Sequence, residues 1–506
     1  MTRWGAVLPL TAALILPVHA APPPGETRRP AGTEHVQVNL VLIDLVARDR
    51  RDRPVSGLRS DDLEVLIDNE EVDPADIESF EEVCGADTAH EAPARAPASI
   101  RAESIAPAGS AAPRNIVLYF DFQQLTVAGR GLSLEAAREF VMSRGGPPDR
   151  VMIVAFRREL RLLQGFTADR ALLLEALAAL QSDNSSAAED PIEMWQDLAE
   201  VSGKQCTVDR DCPQRISAAR AFAGAEKVKA RRSLQSMLDL LPMLSGMKGR
   251  KALVLFTDVL RAEPGAQFFR LGYVWPALPE FDLTDDLLRL TREANASGVS
   301  FYTVHASGLD DNTHEPFREA RGTGFTLGQK PGPFKPQPDI LEVDRVDNAP
   351  SYDAIRAGRD SALALQSMLA IETGGRALQR TNDLGAVLDA ARQDLACYYL
   401  IGYRHLGPAD GGRHGIEIQL KPGARRQRGD VTLRYRPYFH DISASGRLEQ
   451  AFSSALRAPE LFRGLPVSVE AFVLAPRPAG HGVLVKTSVP LSSFFLAAVS
   501  SSTLEG

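Results

Sequence analysis

Basic charge is not in excess here: 57 Lys and Arg stand against 65 Asp and Glu, a formal net charge of −8. A mildly acidic chain of this size has no electrostatic case for binding nucleic acid. Recognisable catalytic signatures are missing as well. There is no phosphate-binding Gly-rich loop ending in Lys-Ser or Lys-Thr, no Gly-x-Ser-x-Gly elbow and no His-Glu-x-x-His pair. The nine His residues are scattered. Beyond the first 20 residues no run is long and apolar enough to span a bilayer. Cysteine is sparse, with four in 506 residues. Cys206 and Cys212 flank the polar stretch Thr-Val-Asp-Arg-Asp and are expected to form a disulfide. A metal site there lacks further Cys or His at ligand spacing. Cys84 and Cys397 either pair or are buried thiols.

What is present reads as an exported multidomain protein. A chain of 506 residues is too long for one core, so two to four domains are expected. Met1-Thr2-Arg3, an apolar run from Trp4 to Val18 and Val18-His19-Ala20 have the layout of a cleaved secretory signal over residues 1–20. Residues 35–83 alternate apolar and polar positions and predict a small β-rich module. Residues 84–113, dense in Ala, Pro and Ser, read as a linker. From residue 114 to 403 strands alternate with helical stretches, which calls for an α/β fold with a mostly parallel sheet covered on both faces. Residues 310–352 interrupt it as a surface insertion. Residues 404–442 read as a β-hairpin extension around the basic turn Lys421–Arg428, and 443–506 as a C-terminal segment, a helix and then strands.

Two stretches stand out. Arg114-Asn-Ile-Val-Leu-Tyr-Phe-Asp121 and Gly249-Arg-Lys-Ala-Leu-Val-Leu-Phe-Thr-Asp258 are near-continuous apolar strands, each ending on a carboxylate. Apolar runs of this kind suit parallel strands buried on both faces. In open α/β sheets ligands bind at the carboxyl ends of strands, where Asp121 and Asp258 are expected to meet. Two carboxylates at one edge ask for a divalent cation or a polar partner. His305 ends another apolar strand and reads as a core residue rather than a catalyst.

The ordered series Leu58-Arg-Ser-Asp-Asp-Leu-Glu-Val, Ile77-Glu-Ser-Phe80, Asn115–Asp121, Arg250–Asp258, Ser300-Phe-Tyr-Thr-Val, Glu372-Thr-Gly-Gly-Arg-Ala, Thr381-Asn-Asp-Leu and Tyr398-Tyr-Leu-Ile-Gly-Tyr403 resembles the VWFA-related proteins of acidobacterial type. The resemblance runs from about residue 36 to 439. It implies a von Willebrand factor A-like, Rossmann-type doubly wound sheet, used for protein binding, with no defined catalytic activity. It also implies a metal-ion-dependent adhesion site of pattern Asp-x-Ser-x-Ser, at which such domains hold Mg²⁺. Here that stretch reads Asp121-Phe-Gln123-Gln-Leu125, with Gln123 and Leu125 in the Ser positions, and Asp258 matches the last carboxylate. Ser185 or Ser186 stand nearest to the central Thr of the site. The metal set is therefore degenerate: Asp121, Gln123 and Asp258, with weak Mg²⁺ binding expected. The reading that follows is a non-enzymatic, exported protein-binding or assembly module with an unidentified protein partner. The alternatives are a metal-assisted hydrolase and a structural envelope protein without a specific ligand.

Overall fold

The computed structural model describes residues 39–84, 114–144, 148–182, 213–247, 249–269, 279–306, 352–379, 381–407, 411–457, 468–473, 483–488, 497–500 and 503–505, with a few isolated positions besides. In chain order it begins with β1 Asn39–Asp49, β2 Leu63–Ile67, β3 Glu70–Glu71, β4 Ile77–Cys84, β5 Arg114–Asp121, α1 Val127–Arg144, β6 Asp149–Phe156, β7 Leu160–Thr167 and α2 Arg170–Gln181. Then come α3 Pro213–Ser245, β8 Lys251–Thr257, α4 Thr284–Ala296, β9 Val299–His305, α5 Tyr352–Glu372, β10 Arg376–Leu378 and α6 Gly385–Ala396. The remainder is β11 Cys397–His405, β12 Arg413–Leu420, α7 Pro422–Arg428, β13 Val431–Tyr435, β14 Tyr438–His440, α8 Ala444–Arg457, β15 Ser468–Val473, β16 Val483–Ser488, β17 Ala497–Ser500 and β18 Thr503–Glu505.

A six-stranded sheet of order β10-β9-β8-β5-β6-β7 forms the α/β part. Its strands run parallel except β7, which pairs antiparallel with β6 at the edge. Every residue of β5, β8 and β9 is buried, as strands covered on both faces must be. Side chains alternate between the faces. Ile116, Leu118 and Phe120 pack with residues of α1, α2 and α6; Val117 and Tyr119 pack with α3, α4 and α5. The chain turns from one flank of β5 to the other between β6 and β8, so β5 and β8 are adjacent and their C-terminal ends lie side by side.

Beneath the N-terminal ends of these strands lies a β-sandwich. One sheet has the order β13-β1-β11-β4 and the other β14-β12-β2-β3. Ile43, Leu45, Leu63, Val65, Ile401, Ile416 and Ile418 fill the space between them. The strands of residues 39–84 thus do not close on themselves: β1 pairs with β11 and β13, β4 with β11, and β2 with β12. A short β module of this kind cannot bury both faces of its strands alone, and the returning chain supplies the missing partners. Cys84 and Cys397 face each other across the β4–β11 ladder and are joined by a disulfide.

Two expectations are corrected here. Cys397–His405 is not a further strand of the parallel sheet but a central strand of the antiparallel one. The hairpin expected over residues 404–442 does not form: β12 pairs with β2 and β14, and β13 pairs with β1. The reason lies in the connection. Residues Pro422–Arg428 make a helical turn with Pro at its first position, not a tight reversal, and carry the chain from one sheet to the other. The linker from residue 85, the insertion up to residue 351, and residues 1–38 lie outside the described residues. Among the described residues no helix is long and apolar enough to cross a membrane.

Candidate functional site

The topology brings Asp121 and Asp258 together as expected, at adjoining C-terminal strand ends where the sheet changes direction. Both are buried, Asp121 completely. The loop after β5 is stitched to the end of β8: backbone N–H groups of Asp258 and Val259 donate to the Gln124 carbonyl at 3.1 and 3.0 Å. A turn from Asp121 to Leu125, with N–H groups of Gln124 and Leu125 donating to the Asp121 carbonyl, leads the chain towards α1.

The two carboxylates meet different surroundings. Oδ2 of Asp258 accepts from the backbone N–H and the hydroxyl of Thr126, at 2.9 and 2.7 Å. Thr126 Oγ1 in turn accepts from the Gly129 N–H at 3.0 Å. Gly129 is required there, since a Cβ at that position would collide with the Asp258 carboxylate. Asp121 accepts from the Ser233 hydroxyl of α3 at 3.1 Å on Oδ1, while its Oδ2 is buried without a hydrogen bond. Burial pushes its carboxyl up to about 7 from the ordinary 3.8, against the smaller opposing pull of the Ser233 hydroxyl and the Gln123 and Gln124 N–H groups.

Of the positions proposed as metal ligands, Gln123 keeps a buried Oε1 with no hydrogen bond, as does the Oδ2 of Asp121 two residues before it. Leu125 is wholly buried among the side chains under α1 and offers nothing to a cation. Asp258 spends one oxygen on Thr126. His305, read from sequence as a core residue, is set by the β8–β9 register opposite Thr257, so it ends at the same edge as the two Asp residues. Among the described residues, though, the ligand atoms of Asp121, Asp258 and His305 do not gather within 4.8 Å of one another. Mg²⁺ demands near-octahedral oxygen coordination. The residues present do not fit such a cage; two orphan oxygens make at most a weak site.

Sequence reasoning missed Thr126 and Ser233. Thr126 falls one residue past the five-residue motif, and Ser233 sits in mid-helix, where a small polar residue gives no local sign of its distant partner. Cys206, Cys212, Ser185 and Ser186 lie outside the described residues. The loop at Phe122 is buried, with the Arg130 guanidinium over the Phe122 ring at 4.2 Å; Val127, at the start of α1, is exposed.

No family model and no characterised protein sequence matches the chain. Solved structures give slight likenesses. An aerotolerance-related membrane protein from Bacteroides fragilis aligns at 13% identity and TM-score 0.25, over 56% of this chain and 98% of its own. The conserved hypothetical protein BatB from Bacteroides thetaiotaomicron aligns at 10% identity and TM-score 0.21, over 55% and 96%. The pilus adhesin SpaC from Lactobacillus rhamnosus GG aligns at 10% identity and TM-score 0.21, over 75% and 50%. TM-scores this low define neither fold nor function.

Proposed function

We propose that the chain is an exported, non-enzymatic protein-binding or assembly module of von Willebrand factor A type, whose contact face is the switch-point edge and whose adhesion site has lost its firm hold on Mg²⁺. The observation that carries this reading is the strand order with Asp121 and Asp258 at adjoining strand ends, one carboxylate turned to Thr126 and the other buried with one oxygen on Ser233 and one without a hydrogen bond. The Cys84–Cys397 disulfide suits an oxidising compartment. Capture of an envelope partner by the purified chain tests the proposal. Binding should persist in EDTA and be lost on Val127→Arg, which puts a charge on the exposed apolar position at the edge. Loss of the partner in EDTA, or its retention by the Val127→Arg variant, would count against it.

A second reading, metal-assisted hydrolysis, has one observation behind it: His305 shares the edge with the two Asp residues. Its test is hydrolysis of aryl phosphates and esters with Mn²⁺ or Zn²⁺ present; turnover abolished by His305→Ala would favour it over the binding reading.

A further inference from the structure

The opposite end of the sheet carries its own unassigned feature. Where the sandwich meets the N-terminal strand ends there is a cleft of about 530 Å³, bounded by β1, the C-terminal ends of α3 and α4, the β13–β14 segment and α8. Pockets of roughly 300–1,000 Å³ hold small organic ligands. Its apolar wall includes Leu40, Leu42, Met247 and Phe439, and its polar wall Arg436, His440 and Arg447 together with the carboxylates Asp44 and Asp441.

The layer behind this cleft is short of negative charge. Alternation along β1 turns Asp44 and Arg48 away from the sandwich core towards the α/β part. Arg434 and Arg436 come from β13 and the residue after it, and Arg250 and Lys251 from the start of β8. Against these five cations the layer sets two carboxylates, Asp394 and Asp44. Asp394 accepts from Arg48 at 2.7 Å and from Arg434 at 3.0 Å. Asp44 stands 3.3 Å from Arg250 and is shared with Arg436 at 3.5 Å. Lys251 donates to the carbonyls of Met247 and Gly249 at 2.6 and 3.1 Å. Asp441, on the far side of the cleft, faces His405 at 3.7 Å. Arg250, Arg434 and Arg436 each leave Nε shielded from water without a hydrogen bond, and of the three Arg436 lines the cleft; its Nη2 makes no hydrogen bond either and has only the Asp44 carboxylate at 3.5 Å. A guanidinium cannot shed its proton, so desolvated N–H groups that share one distant carboxylate with Arg250 and make no hydrogen bond are costly until a further oxyanion reaches them. The Nε2 of His440 is likewise buried without a partner, its Nδ1 facing the Gly411 carbonyl at 3.3 Å.

We propose that this cleft binds a small amphiphile with a single oxyanion head, carboxylate or phosphate, held by Arg436, and an apolar tail laid along Leu40, Leu42 and Phe439. The test is calorimetry on the purified chain with decanoate, decyl phosphate, decanol and inorganic phosphate. Decanoate or decyl phosphate should bind saturably, and the preferred one tells a fatty acid from a lipid-like phosphate. Decanol and inorganic phosphate should each bind at least tenfold more weakly. Arg436→Gln should cost tenfold or more in affinity for the charged amphiphiles. Leu42→Glu, at a position 54% exposed where folding is not at stake, should do the same by setting a charge in the tail path. Decanol binding as tightly as decanoate, phosphate alone binding as tightly as either amphiphile, no saturable heat with any probe, or full affinity in Leu42→Glu would each overturn the proposal.

Discussion

Where the strands of the parallel sheet finish, the carboxylates Asp121 and Asp258 are buried among hydroxyls and amides; where they begin, Arg250 and Lys251 meet Arg48, Arg434 and Arg436, with Asp44 and Asp394 between them. Both ends bury charge, and they resolve it in different ways. Asp121 has only a hydroxyl and backbone N–H groups for company, and burial drives its carboxyl up to about 7, towards the neutral form. Arginine has no such outlet, so Arg48 and Arg434 converge on the fully buried Asp394, which Tyr302 also reaches with its hydroxyl at 3.0 Å. A buried acid adapts by protonation; a buried arginine demands a partner. The carboxylate end should therefore tolerate loss of its charge, and the cationic end should not.

The largest effect is expected at Asp394. Its removal in Asp394→Ala leaves Arg48, 1% exposed, without its carboxylate. Breaking a buried pair by deleting one member costs about 3–5 kcal/mol. Urea unfolding should show a loss of that order, or no folded protein at all. A loss under about 1 kcal/mol would mean that the arginines are paired by other means, and the contrast between the two ends would fail.

At the carboxylate end the corresponding risk is not charge but packing. A Ser at position 125 is what the proposed adhesion motif would call for. Leu125, however, is completely buried with Phe120 and Phe122, so Leu125→Ser trades core packing for a hydroxyl in an apolar site. Large-to-small core substitutions cost about 2–5 kcal/mol, and about 3 kcal/mol is expected here by denaturant titration. A neutral outcome would place Leu125 at the surface and reopen its position to ligation.

Asp121→Asn tests the adaptation itself. The folded-state value of about 7 lies above the ordinary 3.8, so between these values the folded chain holds a proton that the unfolded chain releases. Stability from this group is full below about pH 4 and is lost as pH rises through about 7, a span worth on the order of 4 kcal/mol at most. Asn keeps an acceptor for the Ser233 hydroxyl and never ionises. The variant should match the wild type near pH 4 and exceed it by about 2–3 kcal/mol at pH 8, with a flatter stability profile between. A variant less stable than the wild type at pH 8 would show that the ionised form is held by something beyond Ser233 and the turn amides.

These contrasts divide what the sequence made legible from what it did not. Residues 116–120 and 252–256 are apolar throughout, and 299–304 are apolar but for Ser300 and Thr303, because helices cover both faces of their strands; that local signature was enough to place Asp121 and Asp258 on one edge. The sandwich was hidden because its pairings join residues more than 300 positions apart, such as Asp44 with Leu400 and Leu66 with Glu417. Strands that alternate look alike whichever partner they take. The cationic end was hidden for the same reason: Asp44, Arg250 and Arg436 are unremarkable alone and acquire meaning only when three distant segments meet. The Cys84–Cys397 bridge was one of two possibilities until the β4–β11 register set the two residues opposite each other.

The smallest effect expected is that of Mg²⁺ on the wild-type chain, and it tests the proposal that the carboxylate end is a degenerate adhesion site. The ion would have to assemble near-octahedral oxygens from Asp121 Oδ2 and Gln123 Oε1, the two orphans, together with an Asp258 oxygen that is now bonded to Thr126. It would also have to displace the proton that burial favours on Asp121. Both requirements weaken binding, the second more at low pH. A ligand bound only at millimolar concentration stabilises by about 1 kcal/mol or less when supplied at a few millimolar. For a domain of this size that is a rise in melting temperature of no more than roughly 2–4 °C. The rise should be smaller at pH 6 than at pH 8, because the competing proton is then more firmly held, and Asp121→Asn should remove it. A rise of more than about 8 °C at pH 6 would show an oxygen set much closer to complete than the turn from Asp121 to Leu125 provides, and both ends of the sheet would then have to be read as sites waiting for an ion of opposite sign.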